Sequence, residues 1–69
     1  MAEHMGEQEI FEGYLKLVGK NVALGIRSTG EHLRGKIINT MFDSFILELA
    51  STQRVIGFRD VMYVEPLAG

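Results

Sequence analysis

The chain has 69 residues, a formal net charge of −2 at pH 7 and no cysteine, and 46% of its residues are hydrophobic. This length predicts one small domain with a thin core. Without cysteine, disulfides and thiolate metal sites are excluded. The hydrophobic content is high for so small a chain, and soluble monomers rarely expose large apolar patches. We therefore expect copies of the chain to bury apolar surface against one another.

The two ends of the chain are predicted to lie outside the folded domain. Residues 1–6 mix small and polar residues without periodicity, so we expect a disordered tail there. Residues 7–66 form the predicted domain, and residues 67–69 form a second short tail. Nothing resembles a signal peptide, and no apolar run approaches the ~20 residues needed to cross a bilayer. The expected setting is the cytoplasm, with no membrane partner.

A helix is predicted over residues 7–18. Its apolar side chains recur at three- and four-residue spacing and so share one helical face; they are Ile10, Phe11, Tyr14, Leu15 and Val18. Gly19 is a natural residue to end the helix. Gly13 in its interior costs up to ~1 kcal/mol, so the helix must pack against a neighbour.

From residue 21 the hydrophobic period changes to two, which indicates strands. Five strands are predicted, at residues 21–27, 31–40, 42–49, 54–58 and 61–64. In the third, Phe45 and Leu47 share the core-facing parity. Gly35 inside the second predicts a bend or the close approach of another backbone. Because short antiparallel strands must curl to bury a small sheet, we predict a mainly β fold: a five-stranded, bent antiparallel SH3-like barrel with an N-terminal α-helix.

The fourth and fifth predicted strands are apolar on both faces. Such strands aggregate unless another strand pairs with them. We expect the fourth strand of one copy to pair with the fifth of the next, a head-to-tail contact that generates a closed ring. The residues of this predicted subunit interface are Val55, Ile56, Phe58, Val61, Met62, Tyr63 and Val64.

The segment Phe42-Asp43-Ser44-Phe45-Ile46-Leu47 resembles the Phe-Asp-Gln-Phe-Val-Ile run of Hfq, the bacterial branch of the Sm-like family. Phe58-Arg59-Asp60 lies where Hfq has Tyr-Lys-His, and Gln8 matches a residue type of the Hfq helix. The resemblance extends over residues 8–66. The chain departs from the pattern at Ser44, which is shorter than glutamine, and at Asp60, which replaces a histidine.

The resemblance implies a homo-oligomeric ring, a hexamer or heptamer, that binds single-stranded, uridine-rich RNA near its pore. It implies a role as an RNA chaperone or post-transcriptional regulator. Phe45 would stack on a base, Ser44 would replace a base-reading glutamine, and Gln8 would approach from the helix. Phe58 and Arg59 would be the aromatic and basic residues at the pore.

The residues themselves leave alternatives open. Phe45 fits a core position and a stacking platform about equally well. Asp43 either orients a base or caps the turn before its strand. Arg59 either contacts phosphate or pairs with Asp60 or Glu65, a surface pairing of little net gain.

Two other functions fit the same fold. A protein-interaction module without RNA binding is the alternative, motivated by the net acidity and Asp60, and a lone regulatory domain is a third. No nucleophile paired with a base and no phosphate-binding loop is visible. His4 and His32 lie far apart, without partners at metal-ligand spacing. We expect neither an enzyme nor a cofactor, metal or small-molecule substrate.

Overall fold

The computed structural model describes the backbone of residues 7–68 and the side chains of residues 8–68. The predicted tail at residues 1–6 and the final residue of the second tail lie outside this range. One helix precedes five strands: α1 Glu7–Leu15, β1 Asn21–Ile26, β2 His32–Thr40, β3 Ser44–Glu48, β4 Gln53–Gly57, a 3-10 helix Phe58–Asp60 and β5 Val61–Pro66. The predicted mainly β fold with an N-terminal helix is confirmed.

The five strands form one antiparallel sheet in the order β4-β3-β2-β1-β5. The ladder is open, and β4 and β5 are its two edges. Irregular pairing between Gly25 and Ile26 and between Ile37 and Asn39 bends the sheet. A barrel was predicted, and the structure shows a bent five-stranded sheet that is open between β4 and β5. Arg54 of β4 reaches Glu31 in the turn before β2, with Nη2 3.2 Å from Oε1.

The helix is shorter than predicted, because it ends at Leu15 rather than Val18. Gly19 has a φ of +88°, which favours glycine, and its N–H donates to the carbonyl of Ile37 at 2.7 Å. The chain thus leaves the helical path to bond with β2. Leu15 and Val18 are exposed, contrary to the predicted shared face. Val18 lies beyond the end of the helix, so it no longer follows the helical period. Tyr14 is the core residue that the helix contributes, and its side chain is 8% exposed.

The core lies on one face of the sheet, beneath α1. Its members are Tyr14, Val22, Leu24, Ile26, Ile37, Phe45, Leu47 and Ile56. The predicted alternation of β3 is confirmed, since Phe45 and Leu47 are buried and Glu48 is exposed. A Cβ at Gly35 would collide with the carbonyl oxygen of Glu48, so the predicted close approach of another backbone is also confirmed.

Within residues 7–68, no helix is long and apolar enough to cross a membrane.

Candidate nucleic-acid interface

Three aromatic rings stack where α1 crosses the sheet. The Tyr14 ring lies 4.7 Å from the Phe45 ring and 4.6 Å from the Phe58 ring, with interplanar angles of 18° and 5°. Phe45 is 0% exposed. A base cannot stack on it while Tyr14 occupies this position. Of the two sequence interpretations, the core position is the one in which the structure places Phe45.

A cleft of about 350 Å³ opens beside this stack. It is lined by residues of α1, of the loop between β2 and β3, and of the link between β4 and β5: Ile10, Phe42, Asp43, Gly57, Phe58 and Arg59. The N–H of Phe58 donates to the carbonyl of Asp43 at 3.0 Å, which holds the loop and the link together. The structure thus brings together the predicted site residues Asp43, Phe58 and Arg59.

Phe42 is the exposed aromatic of the cleft, at 69% exposure. The sequence interpretation placed it at the start of a strand and in the run that resembles Hfq, whereas β3 begins at Ser44. Phe42 therefore lies in the loop before β3, where the alternation of a strand does not determine the direction of a side chain. The exposure of its ring is a finding of the structure.

Two predicted site residues do not line the cleft. Ser44 is half-buried in β3, and its carbonyl accepts the N–H of Met41 at 2.7 Å. Gln8 is exposed on α1, where its Nε2 donates to Glu12 Oε2 at 3.3 Å.

The two charged residues of the 3-10 helix point in different directions. Arg59 is exposed and lines the cleft. Asp60 is half-buried and faces the turn after β1, where its Oδ1 accepts the N–H of Ser28 at 2.9 Å and its Oδ2 the hydroxyl at 2.7 Å. The carboxylate of Asp60 is therefore engaged away from the cleft, and the acidic residue that lines the cleft is Asp43.

The edge strands expose part of the predicted interface. Val55, Met62 and Tyr63 are 65%, 48% and 37% exposed. Ile56 is 4% exposed because it pairs with Phe45 and faces the core, so within one copy it is a core residue rather than a surface residue. Phe58, Val61 and Val64 are half-buried against the same core.

Tyr63 has a defined position on the outer face of the sheet. Its ring covers Gly25, where a Cβ would lie 2.5 Å from Tyr63 Cε2. Its hydroxyl lies 2.7 Å from Nδ1 of His32 on β2. Only glycine leaves room for the ring at this point of β1.

Two groups have displaced pKa values. Burial raises the pKa of the Tyr14 hydroxyl to about 12. The pKa of Glu31 lies below its usual value, chiefly because Arg54 donates a hydrogen bond to its carboxylate. A hydrogen bond from Thr29 and the positive charge of Arg54 lower the pKa further. Neither group lies in the cleft. Across residues 7–68, no three or more His, Cys, Asp or Glu side chains converge to hold a metal ion.

The fold and the cleft define a small antiparallel β protein with an aromatic and charged surface pocket. No protein-family model matches the chain, and no curated protein is significantly similar to it.

Proposed function

We propose that this chain is a ring-forming, Sm-like protein that binds single-stranded RNA. The observation that supports RNA binding most directly is the cleft, in which the 69% exposed ring of Phe42 adjoins Arg59 and Asp43. Proteins that bind single-stranded nucleic acids combine an aromatic platform with cations that follow the backbone. Both kinds of group occur here within one pocket, together with the acidic residue Asp43.

Three residues of the cleft have a direct role in this proposal. Phe42, rather than Phe45, stacks on a base, an interaction worth about 1–3 kcal/mol. Arg59 contacts a phosphate. Asp43 accepts a hydrogen bond from a base edge, and the N3–H of uracil is a donor of this kind. A uridine-rich sequence remains our prediction from the family resemblance.

The two open edges support assembly. In the order β4-β3-β2-β1-β5, every neighbouring pair is antiparallel. Placing β4 of one copy beside β5 of the next would join the two open edges and cover Val55 and Met62. This contact is heterologous, so a ring forms if the rotation closes. Because the link between β4 and β5 also lines the cleft, each junction carries one cleft, and repetition converts weak sites into avidity.

Two measurements test the proposal. Sedimentation of the full chain is expected to give the mass of a closed ring, a hexamer or heptamer. Fluorescence anisotropy with labelled uridine-rich RNA is expected to show affinity that falls as salt rises, because phosphate contacts release counterions. A monomer would contradict the ring, and an intact ring without affinity at low salt would contradict RNA binding.

The contribution of Arg59 is tested separately. Arg59→Gln is expected to reduce the salt dependence by about one phosphate contact. Arg54→Gln is the matched control, since it removes the same charge from a residue that pairs with Glu31 outside the cleft. Equal effects of the two substitutions would mean that net charge, rather than the cleft, determines affinity. A role in post-transcriptional regulation in the cytoplasm follows as our wider prediction.

One observation favours a second function. Val55 is 65% exposed on an edge strand, and exposed sheet edges bind extended peptides of other proteins by strand addition. A chain that remains monomeric and binds no RNA, yet captures a protein through β4, would support this protein-interaction module instead.

A further inference from the structure

Two turns that are distant in the sequence meet behind the cleft. The N–H of Arg27 donates to the carbonyl of Asp60 at 2.7 Å, and Arg27 Nη2 donates to the carbonyl of Val61 at 3.3 Å. The N–H and hydroxyl of Ser28 donate to the two carboxylate oxygens of Asp60, at 2.9 and 2.7 Å. We call this set of hydrogen bonds, made by Arg27, Ser28, Asp60 and Val61, the Ser28–Asp60 latch.

The latch holds the short helix that also supplies one wall of the cleft. The 3-10 helix consists of Phe58, Arg59 and Asp60, and the first two of these line the cleft. Side chains in a 3-10 helix succeed one another at about 120° around the axis, since there are about three residues per turn. Holding Asp60 against the turn after β1 therefore determines the directions of Phe58 and Arg59.

The chemistry of the latch suits it to this task. Both oxygens of one carboxylate bond to the same residue, so the contact restricts rotation of the helix as well as its distance from the turn. Hydrogen bonds to an ionised carboxylate are stronger than those between neutral groups. On the other side, the N–H of Phe58 bonds to the carbonyl of Asp43. The wall of the cleft is thus held from both ends.

We propose that Ser28 and Asp60 are positioning residues of the RNA-binding cleft: the latch orients Phe58 and Arg59, and this orientation raises the affinity for single-stranded RNA. The statement about affinity rests on the proposed function, whereas the statement about orientation does not. If the latch served only stability, its removal would lower the stability of the fold without moving the wall of the cleft.

The test compares Ser28→Ala with a control in the same turn. Thr29→Ala is the control, because the Thr29 hydroxyl bonds to Glu31 within the turn and does not reach the 3-10 helix. Ser28→Ala is expected to move the amide NMR resonances of Phe58 and Arg59 and to weaken RNA binding about five- to tenfold. Thr29→Ala is expected to do neither. Ser28→Thr, which retains the hydroxyl, is expected to restore both.

A double substitution separates the positioning role of the latch from its contribution to stability. In the Arg59→Gln chain, Ser28→Ala is expected to lose most of its effect on RNA affinity while its effect on the denaturation midpoint persists. If Ser28→Ala does not fold, Asp60→Asn replaces it, because the amide retains one acceptor oxygen and should give an intermediate effect.

The outcomes distinguish the two proposals. Unmoved Phe58 and Arg59 resonances in a folded Ser28→Ala chain would overturn the positioning role, whatever the RNA affinity. Moved resonances in a protein whose wild type binds no RNA would instead overturn the proposed function and the affinity statement, and would support orientation by the latch.

Discussion

The rings of Tyr14 and Phe58 stack with their centroids 4.6 Å apart and their planes 5° from parallel. Tyr14 belongs to α1, and Phe58 belongs to the 3-10 helix that lines the cleft. The other neighbour of Tyr14 in the stack is the fully buried Phe45. Tyr14 therefore contributes to the core and also supports one wall of the cleft. A substitution that disturbs the packing of α1 should for this reason alter the candidate site.

Alkaline pH is expected to unfold the protein through Tyr14. Burial raises its pKa to about 12 in the folded chain, whereas an unfolded tyrosine ionises near 10. The stability from the neutral hydroxyl is complete below about pH 10 and is lost as pH rises to about 12, by roughly 2 kcal/mol. Urea denaturation at increasing pH measures this loss. Tyr14→Phe, which keeps the stacked ring but cannot ionise, is expected to remove most of it, and an unchanged pH dependence would refute the assignment.

Phe42 and Phe45 are expected to separate binding from stability. Phe45→Ala should lower the free energy of unfolding by about 3–5 kcal/mol, because Phe45 is fully buried. Phe42→Ala should leave unfolding nearly unchanged and weaken RNA binding about five- to 150-fold, the equivalent of one stacked base. Denaturation and anisotropy measure the two effects. The control, Phe42→Tyr, should retain binding; full affinity in Phe42→Ala would exclude this ring as the platform.

Val55→Lys is expected to break the ring. Val55 is 65% exposed on β4, and a lysine on an edge strand opposes pairing with another copy. Losing a buried valine costs about 1.5 kcal/mol per junction, which weakens each junction about tenfold. Sedimentation should then show smaller species at the same concentration. Leu15→Lys, on the exposed part of α1 away from both edges, should leave the ring intact, and a ring that survives Val55→Lys would argue against pairing through β4.

Gly13→Ala and Gly35→Ala are expected to have opposite effects. Nothing lies within 4 Å of a Cβ at Gly13 in α1, so alanine should stabilise the fold by about 0.5–1 kcal/mol through its helix propensity. At Gly35 a Cβ would collide with the carbonyl of Glu48, so alanine should destabilise the fold. Chemical denaturation of the two variants measures both changes in the free energy of unfolding, which should have opposite signs. A neutral Gly35→Ala would mean that β2 and β3 pass each other less closely than they do here.

The carboxyl of Glu31 is expected to titrate below its usual range. Its pKa is lowered chiefly by the hydrogen bond from Arg54, so Arg54→Met should raise it towards the usual value. The pair contributes stability above the ordinary glutamate pKa and loses it as pH falls through the lowered value. NMR titration of the Glu31 carboxyl gives the pKa directly. Thr29→Ala should raise it less, and the reverse order would mean that the threonine hydroxyl dominates.

Much of the fold could be predicted from local pattern. The alternation in β1 and β3 identified strands whose inner side chains are buried, such as Leu24 and Leu47. For Gly35 a bend or a close approach was predicted, and the structure shows the close approach. Of the predicted site residues, Asp43, Phe58 and Arg59 line one cleft. The exposed Phe42 was missed because the family resemblance directed attention to Phe45, and because Phe42 lies in a loop, where no strand alternation predicts which side chains are exposed.

The sequence by itself determined the strands, their inner faces and the position of the helix, because a period of two or of three to four residues is a local property of the chain. The tertiary structure alone decided that Tyr14 covers Phe45, that the helix ends at Leu15, and that Asp60 turns towards Ser28 while Arg59 lines the cleft. Each of these depends on a contact between groups distant in sequence, such as that between Ser28 and Asp60, which are 32 positions apart. No local period encodes such a contact, because it exists only once the sheet has bent and brought the turns together.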